Sequence, residues 1–173
     1  MTLDIRRKIV SLPALKQRVK RSRQQGQKIA FTNGCFDILH YGHVMYLQKA
    51  KKRGRVLVVG LNSDASVKKI KGSGRPVNRQ DHRAAVLAAL GCVDYVTLFE
   101  EETPEKLIAA VRPDILIKGA DYKNQKVVGS DIVKANGGKV ELIEYIPGVS
   151  TTGVIGKINK RGKPKTKRTL KGR

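Results

Sequence analysis

Tryptophan is absent from this 173-residue chain, aromatic residues amount to 5%, and only two cysteines occur. Cys35 and Cys92 stand far apart and neither sits in a C-x-x-C pair, which excludes a disulfide framework and a thiolate zinc cluster. Reduced thiols are expected. No apolar run approaches the roughly 20 residues that span a bilayer, so no transmembrane helix is expected. Met1 is followed by Thr-Leu-Asp and then by mixed basic and apolar residues, without the apolar core and cleavage site of a secretory signal. The expected location is the cytoplasm, and the length suits one domain.

Acidic residues are also scarce: 14 Asp and Glu face 36 Lys and Arg, for a net charge of +22. Residues 1–28 hold nine basic residues against one acid, and residues 157–173 hold nine against none. The body between them carries only +5. This pattern describes a balanced globule with two cationic extensions rather than a uniformly basic docking face, so the function must be sought in the core.

From residue 27 onward, short β-rich runs alternate with helical runs bounded by Gly, Pro, Asn or Ser, the signature of βαβ units. Strands are predicted at 28–32, 56–61, 95–99, 114–118 and 139–145, several of them apolar on both faces as buried parallel strands are. Helices are predicted from His43 to Lys52, from a cap at Asn78 to Leu90 with Val86, Leu87 and Leu90 inward, after the Thr103-Pro104 cap, from Ser130 to Asn136, and from Ser150 with Val154, Ile155 and Ile158 inward. Leu12, Leu15 and Val19 recur at helical spacing, so residues 1–26 read as a basic amphipathic helix packed on a 27–158 domain. Residues 159–173 have almost no apolar content and read as a disordered tail. The expected architecture is α/β, three-layered and Rossmann-like, with a five-stranded parallel sheet in the order 3-2-1-4-5.

In such sheets the ligand lies beyond the C-terminal ends of the strands. The first strand leads into Thr32-Asn-Gly-Cys-Phe-Asp-Ile-Leu-His40-Tyr-Gly-His43. Histidines three apart at a helix start face the same point, Gly42 leaves room for a ligand, and the helix N-terminus favours an anion. Either histidine alone reads first as a capping or satisfied core residue; the pair, after Asn33-Gly34, reverses that preference and points to a phosphate site.

The His40-Tyr-Gly-His43 segment resembles the H-x-G-H signature of the nucleotidyltransferase superfamily. The likeness extends through Thr32 to His40, Asn62 to Gly72, Arg75-Pro-Val-Asn78, Lys118-Gly-Ala-Asp-Tyr122 and Ser150-Thr-Thr152. In that order these resemble the D-glycero-β-D-manno-heptose 1-phosphate adenylyltransferase family across about residues 8–158. The resemblance implies transfer of AMP from ATP to a sugar 1-phosphate, with release of pyrophosphate. That family often carries a sugar kinase domain; 173 residues leave no room for one, so a stand-alone adenylyltransferase is expected.

The resemblance assigns His40, His43 and Lys71 to catalysis. It assigns Thr32, Asn33, Gly34, Cys35, Phe36, Gly42, Arg83, Lys118, Gly119, Asp121, Tyr122, Ser150, Thr151 and Thr152 to the nucleotide and its phosphates. Asp37, Asn62 and Asp64 are weaker candidates for substrate contact. Arg83 reads alternatively as a surface helix charge, Ser150 as an N-cap, Asp37 as structural, and Lys68 and Lys69 as solvated charges. Mg²⁺ is expected with the triphosphate, held mainly by phosphates and water, with no protein metal cluster.

Two departures bear on this. Ala120 replaces the second glycine of a Gly-Gly-Asp-Tyr motif, which matters if that position needs a positive φ. Tyr145 stands where the related glycerol 3-phosphate cytidylyltransferases have an arginine, which favours the heptose branch. A CTP-dependent enzyme acting on glycerol 3-phosphate is the alternative; a nucleic-acid-binding protein using its basic termini is an alternative of another class. The implied partners are ATP or CTP and a sugar phosphate, with nonspecific polyanion binding by the termini and a homodimer left open.

Overall fold

The second strand, β2 (Arg55–Asn62), is buried at every position after Arg55, as a central parallel strand covered on both faces must be. A computed structural model, which describes residues 4–122, 125–144 and 146–161, sets it beside β1 (Lys28–Gly34) and β3 (Tyr95–Phe99). β4 (Ile115–Gly119) and β5 (Lys139–Ile143) extend the sheet on the far side of β1. All pairings are parallel and the order is β3-β2-β1-β4-β5, as the sequence predicts. The order reverses between β1 and β4, so their connections leave on opposite faces and a crevice opens at the strand ends.

Helices α2 (Tyr41–Ala50) and α4 (Gln80–Ala89) cover one face, where Tyr46, Leu47, Leu87 and Ala88 pack on Leu57, Val59 and Ile117. Helices α1 (Leu12–Gln24), α5 (Glu105–Val111) and α6 (Ser130–Ala135) cover the other, through Leu15, Val19, Ile108 and Val133 on Phe31, Val58 and Leu116. Helix α1 therefore packs on the sheet through the spacing read from the sequence. Ahead of it, a 3-10 turn at Ile5–Lys8 leads to a parallel bridge between Ile9 and Val96, which shields the outer edge of β3.

Several helix ends differ from expectation. α2 starts at Tyr41, with His40 as its cap. α4 starts at Gln80 because Asn78 donates its side-chain amide to the Asp37 carbonyl (2.8 Å) instead of capping. Val86 faces solvent, as does Ile158 of α7 (Thr151–Arg161). Pro104 takes the cap position of α5. An additional helix, α3 (Asp64–Lys71), follows β2, capped by the Ser63 hydroxyl, which accepts from Ser66 N (3.2 Å). Residues 162–173, and with them most of the predicted tail, lie outside the described residues, as does Tyr145.

Candidate active site

At the end of β1 the chain turns through Phe36, which adopts a left-handed φ of 42°. The adjacent Gly34 lies so close to the Phe36 ring that a Cβ there would sit 3.1 Å from it. His40 then caps α2: its Nδ1 faces the His43 N–H at 3.4 Å, and its carbonyl accepts from the same N–H at 2.9 Å. The two imidazoles stack at 3.7 Å between centroids and 16° between planes, with Phe36 tilted against His43 at 5.0 Å. A Cβ on Gly42 would press the His40 ring at 3.2 Å, so glycine is what permits the stack.

Burial, and next the neighbouring His40, push the His43 imidazole down to about 4. The Ile38 backbone acts in the opposite direction, yet no hydrogen bond of normal geometry reaches the buried Nδ1 among the described residues. His40 is lowered too, by burial. At neutral pH the free site presents uncharged imidazoles, which offer N–H donors rather than fixed positive charge.

His43 opens into a cavity of about 470 Å³, ample for a nucleotide's phosphates and a sugar. Its walls are the C-terminal ends of the strands and the helix starts that follow them. Asn33, Gly34, Cys35, Phe36 and Asp37 come from β1 and its loop, Asn62 from β2, and Lys71 from the last turn of α3. Lys118 and Asp121 follow in β4 and its succeeding 3-10 turn, and Thr151 and Thr152 in the first turn of α7. Lys118 donates to Asn33 Oδ1, and burial lowers its ammonium to about 8 against the opposing pull of Asp121. Ala120 enters its 3-10 turn without a positive φ, so the replaced glycine poses no backbone conflict.

Other predicted residues are placed elsewhere. Thr32 is wholly buried and shares a hydrogen bond with the Tyr46 hydroxyl (2.8 Å), because its side chain faces the α2 layer. Gly119 lies in the sheet, Gly42 beneath the imidazole stack, and Ser150 caps α7, accepting from Gly153 N at 3.1 Å. The Tyr122 side chain is outside the described residues.

Arg83 is neither a surface charge nor a cavity cation. Only 2% exposed, its guanidinium donates to the carbonyls of Asn78 (3.0 Å), Cys35 (2.5 Å) and Asn62 (2.9 Å) and to Asp64 Oδ1 (2.8 Å). It ties the β1 loop, the β2 end and α3 into one frame. Asp64 is thereby engaged away from the cavity. Asp37 performs a related task, accepting from Val77 N (2.7 Å), Asn78 N (3.0 Å) and the Arg75 guanidinium. Burial raises its carboxyl, but these bonds outweigh that and hold it below the usual range.

Sequence reasoning missed Ile70, Arg75, Glu102, Thr103, Pro104 and Val128, all of which line the cavity. For the segment after β3 the signal was available, since the rule that sites follow strand ends applies there too.

A parallel sheet whose switch-point cavity is lined by the His43 imidazole, Lys71, Lys118 and threonine hydroxyls is an α/β domain of the kind that binds anionic ligands at its strand ends. A family model described as cytidylyltransferase-like matches residues 31–156, and the chain belongs to that family of nucleotidyltransferases. It is 54% identical over 151 residues to the bifunctional protein HldE of Citrifermentans bemidjiense, covering 87% of this chain and 31% of that one. The HldE of Campylobacter concisus is 59% identical over 137 residues, covering 79% and 28% respectively. The chain thus spans about a third of the length of these relatives. A solved lipopolysaccharide core biosynthesis protein from Thermoplasma volcanium aligns with a TM-score of 0.57 at 30% identity, covering 70% of this chain and 98% of that one.

Proposed function

We propose that the chain transfers AMP from ATP to a sugar 1-phosphate, D-glycero-β-D-manno-heptose 1-phosphate, giving an ADP-sugar and pyrophosphate. A phosphate oxygen of the sugar attacks the α-phosphorus in line, the α–β bridging bond breaks, and pyrophosphate leaves. The observation that carries the reading is the His40–His43 stack at the α2 N-terminus, opening into a cavity that Lys71 and Lys118 share. Such chemistry needs positioning and charge neutralisation rather than a protein nucleophile.

His43 donates a hydrogen bond to the phosphates, and His40, stacked behind it, fixes its ring. Lys71 and Lys118 neutralise charge on the phosphates, and the Thr151 and Thr152 hydroxyls and the α7 N-terminus receive the leaving pyrophosphate. Mg²⁺ bound to the triphosphate would supply further charge neutralisation. Such an ion would be held mainly by the phosphates and water.

The choice of ATP and heptose rests on the motif resemblance. It is supported by the HldE relatives and by the structural neighbour, a lipopolysaccharide core biosynthesis protein. Pyrophosphate release measured with ATP or CTP, each crossed with heptose 1-phosphate and glycerol 3-phosphate, tests it. Turnover is expected with ATP and heptose 1-phosphate; efficient turnover with CTP alone would make this a cytidylyltransferase.

A further inference from the structure

The loop between β3 and α5 supplies a cavity wall unlike the others. Its backbone is pinned at both ends: Ser63 N donates to the Phe99 carbonyl (2.9 Å), the Ser66 hydroxyl donates to the Glu101 carbonyl (2.8 Å), and Ile108 N donates to the Pro104 carbonyl (2.8 Å). Glu101 pairs with Lys106 at 3.6 Å. That leaves Glu102 and Thr103 lining the cavity from a fixed loop, with Ile70, Pro104 and Val128 providing apolar surface.

Three carboxylates line the cavity, and they are in different states. Asp37 is committed to Arg75 and two backbone N–H groups, and Asp121 acts on Lys118. Glu102 has no hydrogen bond or ion pair among the described residues. An ionised carboxylate accepts hydrogen bonds and repels phosphate, so this wall suits a part of the ligand that is rich in hydroxyls and carries no charge. The imidazole and lysine walls have the opposite preference. A sugar phosphate has both kinds of group, and Ile70, Pro104 and Val128 can pack on its C–H face.

Building on the adenylyl-transfer reading above, we propose that Glu102, assisted by Thr103, binds the hydroxyl groups of the acceptor sugar and determines which phosphate-bearing acceptor is used. Glu102 accepts from sugar hydroxyls, and Thr103 both donates and accepts. Glu102 and Thr103 are exposed in the free protein; a bound acceptor covers them, and one that lacks the matching hydroxyl leaves the carboxylate without a partner in exchange for the water it displaces.

The test compares the wild type with Glu102→Ala, Glu102→Gln and Thr103→Val, using whichever nucleotide and acceptor the wild type turns over best. That first measurement judges the adenylyl-transfer reading by itself; the variants judge this proposal. Glu102→Ala is expected to raise the acceptor KM at least tenfold, with the ATP KM within twofold and the melting temperature unchanged. Glu102→Gln recovers part of the loss, since its amide oxygen still accepts, and Thr103→Val shows a smaller increase. Among singly deoxygenated acceptors, at least one should erase the difference between wild type and Glu102→Ala. An unchanged acceptor KM in Glu102→Ala would overturn the proposal. So would a rise in the ATP KM and the Mg²⁺ requirement instead, which would assign the carboxylate to the metal–nucleotide complex. No turnover with any acceptor would defeat both readings.

Discussion

His43 is held neutral by burial and by its partner ring, so in the proposed reaction it would act as a donor aimed at developing charge, preorganised before the chemical step. Removing one such donor elsewhere costs about 10²–10³ in kcat. His43→Ala is accordingly expected to lose at least about 100-fold in kcat by steady-state pyrophosphate release, and a loss under fivefold would remove it from the chemistry. Lys118 gives a pH signature. With its ammonium at about 8 in the free protein, it is charged below that pH and neutral above, so kcat/KM for ATP falls as pH rises through about 8. Lys118→Arg keeps its charge, and its alkaline limb moves above pH 10; a limb that stays put would assign the titration to another group. The histidine pair was legible in the sequence because both residues and Gly42 lie within one turn. Arg83 and Thr32 were not, because their partners are remote: Arg83 bonds Cys35, 48 positions away, and Asn62, 21 away. A buried arginine and a surface one look alike until the fold brings the carbonyls in.

Among the elements, the strands were readable because buried parallel strands are apolar at nearly every position, and a sheet of five such strands leaves little freedom in order. Helix α3 escaped notice because it is eight residues long and its buried residues are only Ser66 and Val67. Its placement nonetheless decides where Lys71 reaches. The start of α4 was misplaced for a related reason, since Asn78 has capping chemistry but spends it on the Asp37 carbonyl. Arg83 is what joins these pieces, and removing it leaves the Asp64 carboxylate and three carbonyls without their partner. With Arg83 buried and the Asp64 side chain 32% exposed, losing this partner costs about 3 kcal/mol, mostly from the unsatisfied carbonyls, which for a chain of this size lowers the melting temperature by roughly 10 °C. Arg83→Ala is expected to show that drop in a thermal melt. A surface helix charge would leave the melt unchanged, and that result would refute the frame described here.

For the whole molecule, the sheet, its three layers and the cavity at the strand ends form the core, and the densest cationic stretch, residues 157–173 with nine basic residues and no acid, begins in its last helix. Helix α7 joins the two, lining the cavity with its first turn and continuing to Arg161. Deleting residues 162–173 should therefore leave kcat/KM within about threefold, under 1 kcal/mol of barrier. The same deletion should remove most salt-sensitive binding to RNA or DNA in a filter assay, because a cationic segment binds polyanions through counterion release. Lost catalysis would show that the terminal segment helps to build the site. That this cavity moves the α-phosphate of ATP is tested most directly by following labelled phosphorus with heptose 1-phosphate as acceptor. Label in the α-position is expected to appear in the sugar nucleotide and label in the γ-position in pyrophosphate, with both products reduced together in His43→Ala. Label from the γ-position on the sugar, or no transfer from ATP at all, would contradict it.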